Sequence, residues 1–245
     1  MERNLLLTVE YDGTNFHGWQ RQPGIRTAQG ELERVLSILC AQDVQVDGTS
    51  RTDAGVHALS QKVTLRGDFA IPTENIKRAA NNLLEGDLRV IKVEEMPQGF
   101  HARYDCKGKK YIYRISVDEA SVFERNYVWQ LSIRPDVEIM RQAASYIIGT
   151  HDFACFQAAG GEEKETTVRT ITSLEVVEKV NHIEIQVAGD GFLYNMVRII
   201  TGTLVEAGLG NRTPESVKEV IDSKDRTRAG LTAPPQGLYL AEVYY

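Results

Sequence analysis

The chain has 245 residues, 42% of them apolar and 25% charged, with a formal net charge of −6. These proportions exclude a disordered or fibrous chain and describe a globular protein of one large or two modest domains, able to bury a core without disulfides or metals. The longest run without a charged residue, 229–241, holds two prolines and two glycines, too short and too broken to span a bilayer. The opening MERNLLLTVEYDG lacks the cationic end, long apolar stretch and small-residue cleavage site of a signal peptide, so a cytoplasmic protein is expected. The three cysteines, Cys40, Cys106 and Cys155, are widely spaced and form no CxxC pair, which argues against a disulfide framework or a zinc site. Cys40, within VLSILCA, suits a small buried apolar position.

Along the chain, NLLLTVEYD alternates as a strand, and TAQGELERVLSILCAQ places Leu32, Val35, Leu36 and Leu39 on one helical face. VQVDG and QKVTLRG read as two further strands. A helix starts at Pro72-Thr73 with Ile76, Ala79, Ala80 and Leu83 inward, and LRVIKVEEM is a fourth strand. The order strand, helix, strand, strand, helix, strand is that of the split βαβ or ferredoxin-like unit. The second half repeats the theme more loosely. KKYIYRISV and NYVWQL read as strands and PDVEIMRQAASYII as an amphipathic helix. TITSLEVVEKV and HIEIQVAG form a hairpin. A helix over 193–207 follows, then a short one opened by Thr213-Pro214-Glu215, with Thr as cap and Pro at the first helical position, and GLYLAEVYY closes as a strand. The expectation is an α+β protein of two ferredoxin-like lobes with largely antiparallel sheets, 1–102 and 103–245, the site lying in a cleft between them.

Two long loops stand outside these patterns, 12–26 and 153–169, and unstructured loops of that length are often functional. The first carries Phe16, Trp19, Arg21 and Arg26, groups suited to bases and phosphates, although a loop folded back with Trp19 buried fits the same composition. KGKKYIYR, 107–114, brings four cations and two tyrosines without an acid, against the negative whole-chain charge; an ordinary solvated strand end has the same look. No GxGxxG follows a strand, and GxxxxGK[ST], HExxH and GxSxG are absent, so nicotinamide, P-loop, zinc-protease and serine-elbow chemistries are not signalled.

The polar stretch GTSRTDAGVHALSQ, 48–61, crowds an Arg, a Thr, an Asp and a His between two strands. Asp53 is there a candidate nucleophile or base, although an Asp in a loop is usually a turn former or helix cap. His57 stands four residues on, a spacing that is most often structural.

GTSRTDAGVHA resembles the signature of TruA-type tRNA pseudouridine synthases. The likeness runs in order through YDGTNFHGWQRQ, TAQGELE, SRTDAGVHALSQ, FHARYDCKGKKYIYRI, VRTI, GFLYNMVRIITGTL and APPQGLYL. It departs at Gly161, where many relatives carry a cysteine outside the expected chemistry. The resemblance implies isomerisation of uridine to pseudouridine at positions 38, 39 or 40 of the tRNA anticodon arm, without metal or organic cofactor, by a homodimer that holds one tRNA across both subunits. It implies that Asp53 attacks the anomeric carbon or takes an adjacent proton, and that Arg198 is its charge partner. Tyr111 would stack on the uracil and assist proton transfer at carbon 5, with Tyr113 as support. Leu238 would flank the base, and Arg51 would fill the gap left by the flipped nucleotide. Arg21, Arg26, Lys107, Lys109 and Lys110 are candidate RNA contacts. The rival readings are a noncatalytic tRNA-binding protein on the same scaffold and a nucleoside hydrolase using Asp53 and His57, which would lack the usual second carboxylate.

Overall fold

A computed structural model describes residues 2–117, 119–161 and 165–245. The contacts divide the chain into two units, one of Met1–Lys107 with Tyr239–Tyr245 and one of Gly108–Leu238. Each is mixed α and β with a mostly antiparallel sheet.

The first unit runs β1 (Arg3–Tyr11), α1 (Ala28–Cys40), β2 (Val46–Gly48), β3 (His57–Gly67), α2 (Thr73–Leu83) and β4 (Leu88–Glu95). β1 is the middle strand, antiparallel to β3 on one side and β4 on the other. Its position explains RNLLLTVEY: with a neighbour on each edge, Leu5, Leu7 and Val9 are wholly buried, and Leu6 and Thr8 nearly so. Each buried aliphatic side chain stabilises by about 1.5–3 kcal/mol. The α1 face read from the sequence is buried at Leu32, Val35 and Leu36, and Thr27 caps the helix by accepting the Gly30 N–H at 3.3 Å. The α2 helix buries Ile76 and Ala80.

The second unit contains β5 (Gly108–Ser116), β6 (Trp129–Gln130), α3 (Val137–Ser145), β7 (Gly149–Asp152), β8 (Val168–Glu178), β9 (His182–Gly189), α4 (Met196–Gly208) and α5 (Ser216–Ser223). The sheet order β5-β9-β8-β7 is antiparallel throughout, and β6 joins β5 in parallel. Asp136 caps α3 by accepting the N–H groups of Glu138 at 2.9 Å and Ile139 at 3.1 Å. The α4 helix is buried on nearly every side, as a helix apolar around its circumference must be.

Individual elements depart from expectation: Leu83, read as inward on α2, is 42% exposed at the end of that helix. NYVWQL contributes only the two-residue β6. The strand β7 was not foreseen, because GTHD is too short and polar to show alternation. The final strand β10 (Leu238–Tyr244) is not wholly part of the second unit: from Tyr239 onward it belongs to the first, and the boundary falls after Lys107 rather than after residue 102. The reason is pairing: Tyr239 and Leu240 lie parallel to His57 and Ala58 of β3, and the Lys107 N–H donates to the Tyr244 carbonyl at 2.9 Å.

Candidate active site

The Asp53 loop is held by bonds along its length, to its own backbone and to buried side chains. Val56 N–H donates to the Asp53 carbonyl at 3.1 Å, closing a turn whose third residue, Gly55, has φ +78. A type II turn needs such a φ there, which accounts for the Gly in DAGV. Before the turn, Gln61, wholly buried, pairs with Ser50 as a strand backbone would. Its Nε2 donates to the Ser50 carbonyl at 2.6 Å, and its Oε1 accepts the Ser50 N–H at 3.2 Å. Thr49 donates its N–H to the Lys62 carbonyl at 2.9 Å. The Thr49 Oγ1 lies 3.0 Å from the Tyr245 hydroxyl, which donates to the Ala102 carbonyl. Burial pushes the Tyr245 hydroxyl up to about 12. Thr52 is buried, with its Oγ1 2.7 Å from the Tyr11 hydroxyl and its carbonyl accepting the Trp19 N–H at 3.0 Å. Asp53 itself is half-buried, and Arg51 is exposed, its Nε donating to Gln20 Oε1 at 3.0 Å.

The loop 12–26 is the buttress for this one. Trp19 and Phe16 are each 2% exposed, so they are core rather than platforms for RNA bases. Tyr11 stacks on Trp19 at 6.0 Å between ring centroids. Gly18 has φ +85, and a Cβ there would stand 2.5 Å from the Thr52 carbonyl oxygen, so the two loops meet backbone to backbone. Arg26 holds Asp87 with two bonds, at 2.7 and 2.8 Å, and lies 4.3 Å over the Phe16 ring. Arg21 pairs at 2.8 Å with Glu33, a buried carboxylate that also accepts the Val46 N–H. His57 stacks on Tyr239 at 4.7 Å, and its Nδ1 accepts the Gly13 N–H at 3.0 Å. Asp12 Oδ1 stands 3.2 Å from the same nitrogen, but the backbone N–H fills the lone pair. His57 therefore ties loop 12–26 to β3.

In the second unit, Arg198 lies on the first turn of α4. Its Nε donates to the Ala233 carbonyl at 2.7 Å, its Nη1 donates to Asn195 Oδ1 at 2.7 Å, and its own carbonyl accepts the Ala233 N–H at 3.1 Å. Tyr111 and Tyr113 share a face of β5. Tyr113 is fully buried, donates to the Pro234 carbonyl at 2.6 Å, and is raised far above the ordinary phenol range by burial, against the opposing field of Arg198. That is support, as expected of it. Tyr111 is 7% exposed and meets Phe192 edge to face at 5.1 Å. Leu238 is buried at the start of β10. Lys107 is exposed, and Lys109 and Lys110 are half-buried at the start of β5. Among the described residues, no group of three His, Cys, Asp or Glu side chains is placed to hold a metal ion, and no helix is long and apolar enough to cross a membrane.

Sequence reasoning missed Gln61, Tyr11, Tyr245 and Asn195. All four act through one or two polar bonds to a backbone or to another side chain, which no periodicity reveals; only their places inside or beside the quoted blocks marked them.

The family described as tRNA pseudouridine synthase matches residues 7–105 and 143–245, stretches that hold Arg51, Asp53, Arg198 and Leu238 but not Tyr111. The chain is 46% identical over 248 residues to tRNA pseudouridine synthase A 2 of Clostridium tetani, covering 100% of both chains. It is 48% identical over 247 residues to tRNA pseudouridine synthase A of Ruminiclostridium cellulolyticum, covering 99% of this chain and 100% of that one. With tRNA pseudouridine synthase A of Thermoanaerobacter sp. the identity is 44% over 244 residues, at 99% and 100% coverage.

Proposed function

The chain belongs to the tRNA pseudouridine synthase family, and from that premise we propose that it isomerises uridine to pseudouridine in the anticodon stem-loop of tRNA, at position 38, 39 or 40. The observation that carries the catalytic reading is the Asp53 loop, in which Ser50 and Thr52 are buried and bonded while Asp53 is left partly open. Such a loop fixes a carboxylate in space without covering it, as positioning for attack requires.

The ionised Asp53 attacks the anomeric carbon of the uridine or takes an adjacent proton. Either course breaks the N-glycosidic bond and lets carbon 5 of the uracil bond to the sugar. Arg198 is the proposed charge partner: a guanidinium within about 4–6 Å lowers a carboxylate's pKa by roughly 1–3 units and keeps it charged in a partly dry site. Tyr111 offers a ring for the uracil and a hydroxyl for the proton leaving carbon 5, Leu238 an apolar flank, and Arg51 a cation for the space of the flipped nucleotide, whose unstacking costs a few kcal/mol. Of the five candidate RNA cations, we assign phosphate contacts chiefly to Lys107 and Lys110, because Arg21 and Arg26 already hold carboxylates. The family resemblance supports a cytoplasmic homodimer, cofactor-free. The strand order β4-β1-β3 with β2 beside β3 supports a ferredoxin-like reading of the first unit, and the second is read as its looser counterpart.

The test is incubation with unmodified tRNA transcripts, pseudouridine being mapped by chemical labelling. Asp53→Asn is expected to lower turnover on the order of 10⁴-fold or more with tRNA binding near normal. Appreciable pseudouridine from that variant would remove Asp53 from the mechanism, and release of free uracil by the unaltered protein would identify a hydrolase instead.

A further inference from the structure

We infer that Asn195 is a positioning residue that aims the Arg198 guanidinium, an inference that rests on the proposed pairing of Arg198 with Asp53. Asn195 occupies the position just before α4, and its carbonyl accepts the first helical bond, from the Ile199 N–H at 3.0 Å. An Asn at that position ordinarily has extended backbone and turns its side chain onto an N–H of the first turn. Here it does neither. Its backbone is left-handed, φ 59 and ψ 10, and its side chain makes no capping bond to the helix. Instead, Oδ1 accepts from Arg198 Nη1 at 2.7 Å.

The residue thus gives up the stabilising role that its place offers and spends its side chain on one guanidinium. The Ala233 carbonyl takes Nε of the same group at 2.7 Å, so two acceptors on different segments fix the plane of the fork. Nη2 and the second hydrogen of Nη1 are the donors with which such a fork holds a carboxylate. Without the Asn195 acceptor one of the bonds that set this plane is lost, and a misplacement of about 1 Å in an active site costs about 100-fold in rate. The left-handed backbone separates this role from a structural one: Gly keeps φ 59 without strain and removes only the acceptor, whereas Ala removes the acceptor and strains the backbone.

The experiment measures single-turnover pseudouridine formation, tRNA affinity and melting for Asn195→Gly, Asn195→Ala, Arg198→Ala, Asn195→Gly/Arg198→Ala and Asp53→Asn. Asn195→Gly is expected to melt with the unaltered protein, bind tRNA within about twofold, and turn over about 10- to 100-fold more slowly. The acid limb of its pH–rate profile should move to higher pH, since a less well-aimed cation lowers the Asp53 pKa less. On the Arg198→Ala background, Asn195→Gly should have no further effect, the coupling expected of residues acting through one another. Asn195→Gly at full rate with an unmoved profile overturns the inference, even if Asn195→Ala is slow, since the loss then belongs to the backbone. An equal loss on both backgrounds overturns it as well, because Asn195 would then act without Arg198. Activity in Asp53→Asn overturns the catalytic reading beneath it, and does so independently of the Asn195 results.

Discussion

The loops 12–26 and 49–56 invert what their compositions suggest. The first has the aromatic and cationic residues of a nucleic-acid surface, yet Phe16 and Trp19 are core, and Arg21 and Arg26 are paired to carboxylates. The second has hardly an apolar residue, yet Thr49, Ser50 and Thr52 are buried, while Arg51, Asp53, Ala54 and Gly55 reach toward solvent. One loop is the frame and the other the tool. The lesson is physical: an aromatic ring buried beside a polar loop excludes water from that loop's backbone bonds, and those bonds rather than side-chain packing set the carboxylate's position.

The comparison breaks first at Trp19. If loop 12–26 is a frame, Trp19→Ala should cost about 3–5 kcal/mol in unfolding free energy, read from denaturant midpoints. A variant of unchanged stability that has lost tRNA binding would return Trp19 to the RNA surface. Tyr11→Phe is gentler. It removes the hydroxyl beside Thr52 and should cost about 1 kcal/mol in stability, with a larger proportional fall in turnover than in tRNA affinity. Equal falls in both would mean that Tyr11 supports the unit as a whole and not this loop.

Arg26→Ala sharpens the contrast between paired and RNA-facing cations. Its half-buried, two-point pair with Asp87 and its ring contact are together worth about 1–2 kcal/mol, and the slope of log affinity against log salt for tRNA should stay as it was. Lys110→Ala should flatten that slope by about 0.7–0.9. The reverse pattern would exchange their roles. The smallest effect concerns Tyr245 at the foot of the Asp53 loop. Its folded pKa, pushed up to about 12 by burial, exceeds the unfolded value near 10. The neutral phenol therefore contributes stability that is fully present below about pH 10 and is lost as pH rises through 12. Urea midpoints of the unaltered protein and Tyr245→Phe should draw together over that range; curves that stay parallel would remove Tyr245 from the linkage.

What could be read in the sequence was whatever repeats along it. Leu32, Val35 and Leu36 announce α1 because a helix face recurs every three or four residues, and Leu5, Leu7 and Val9 announce a strand by alternation. Asp53, Arg198 and Tyr111 were candidates because long ordered blocks resemble a family, not because any pattern demanded them. The burial of Trp19 was one of two equal alternatives, since an aromatic in a loop has no period to declare its direction. The Gln61–Ser50 pair, the Tyr11 hydroxyl and the Asn195 acceptor join residues 3 to 41 positions apart through isolated polar contacts, which leave no trace in hydropathy. The split of β10 between units was hidden for a related reason: its partner strand lies far back in the chain.

That split has a consequence for synthesis. Residues of the first unit emerge from the ribosome early, but Tyr239 and Leu240, which pair with β3, and Tyr245, which touches Thr49, come only after the whole second unit has been made. Until then the strand that begins at His57 lacks one neighbour, and the foot of the Asp53 loop lacks its phenol. The nascent chain therefore carries Asp53 long before the foot of its loop is complete, and a fragment stopped at Lys107 would remain in that unfinished state.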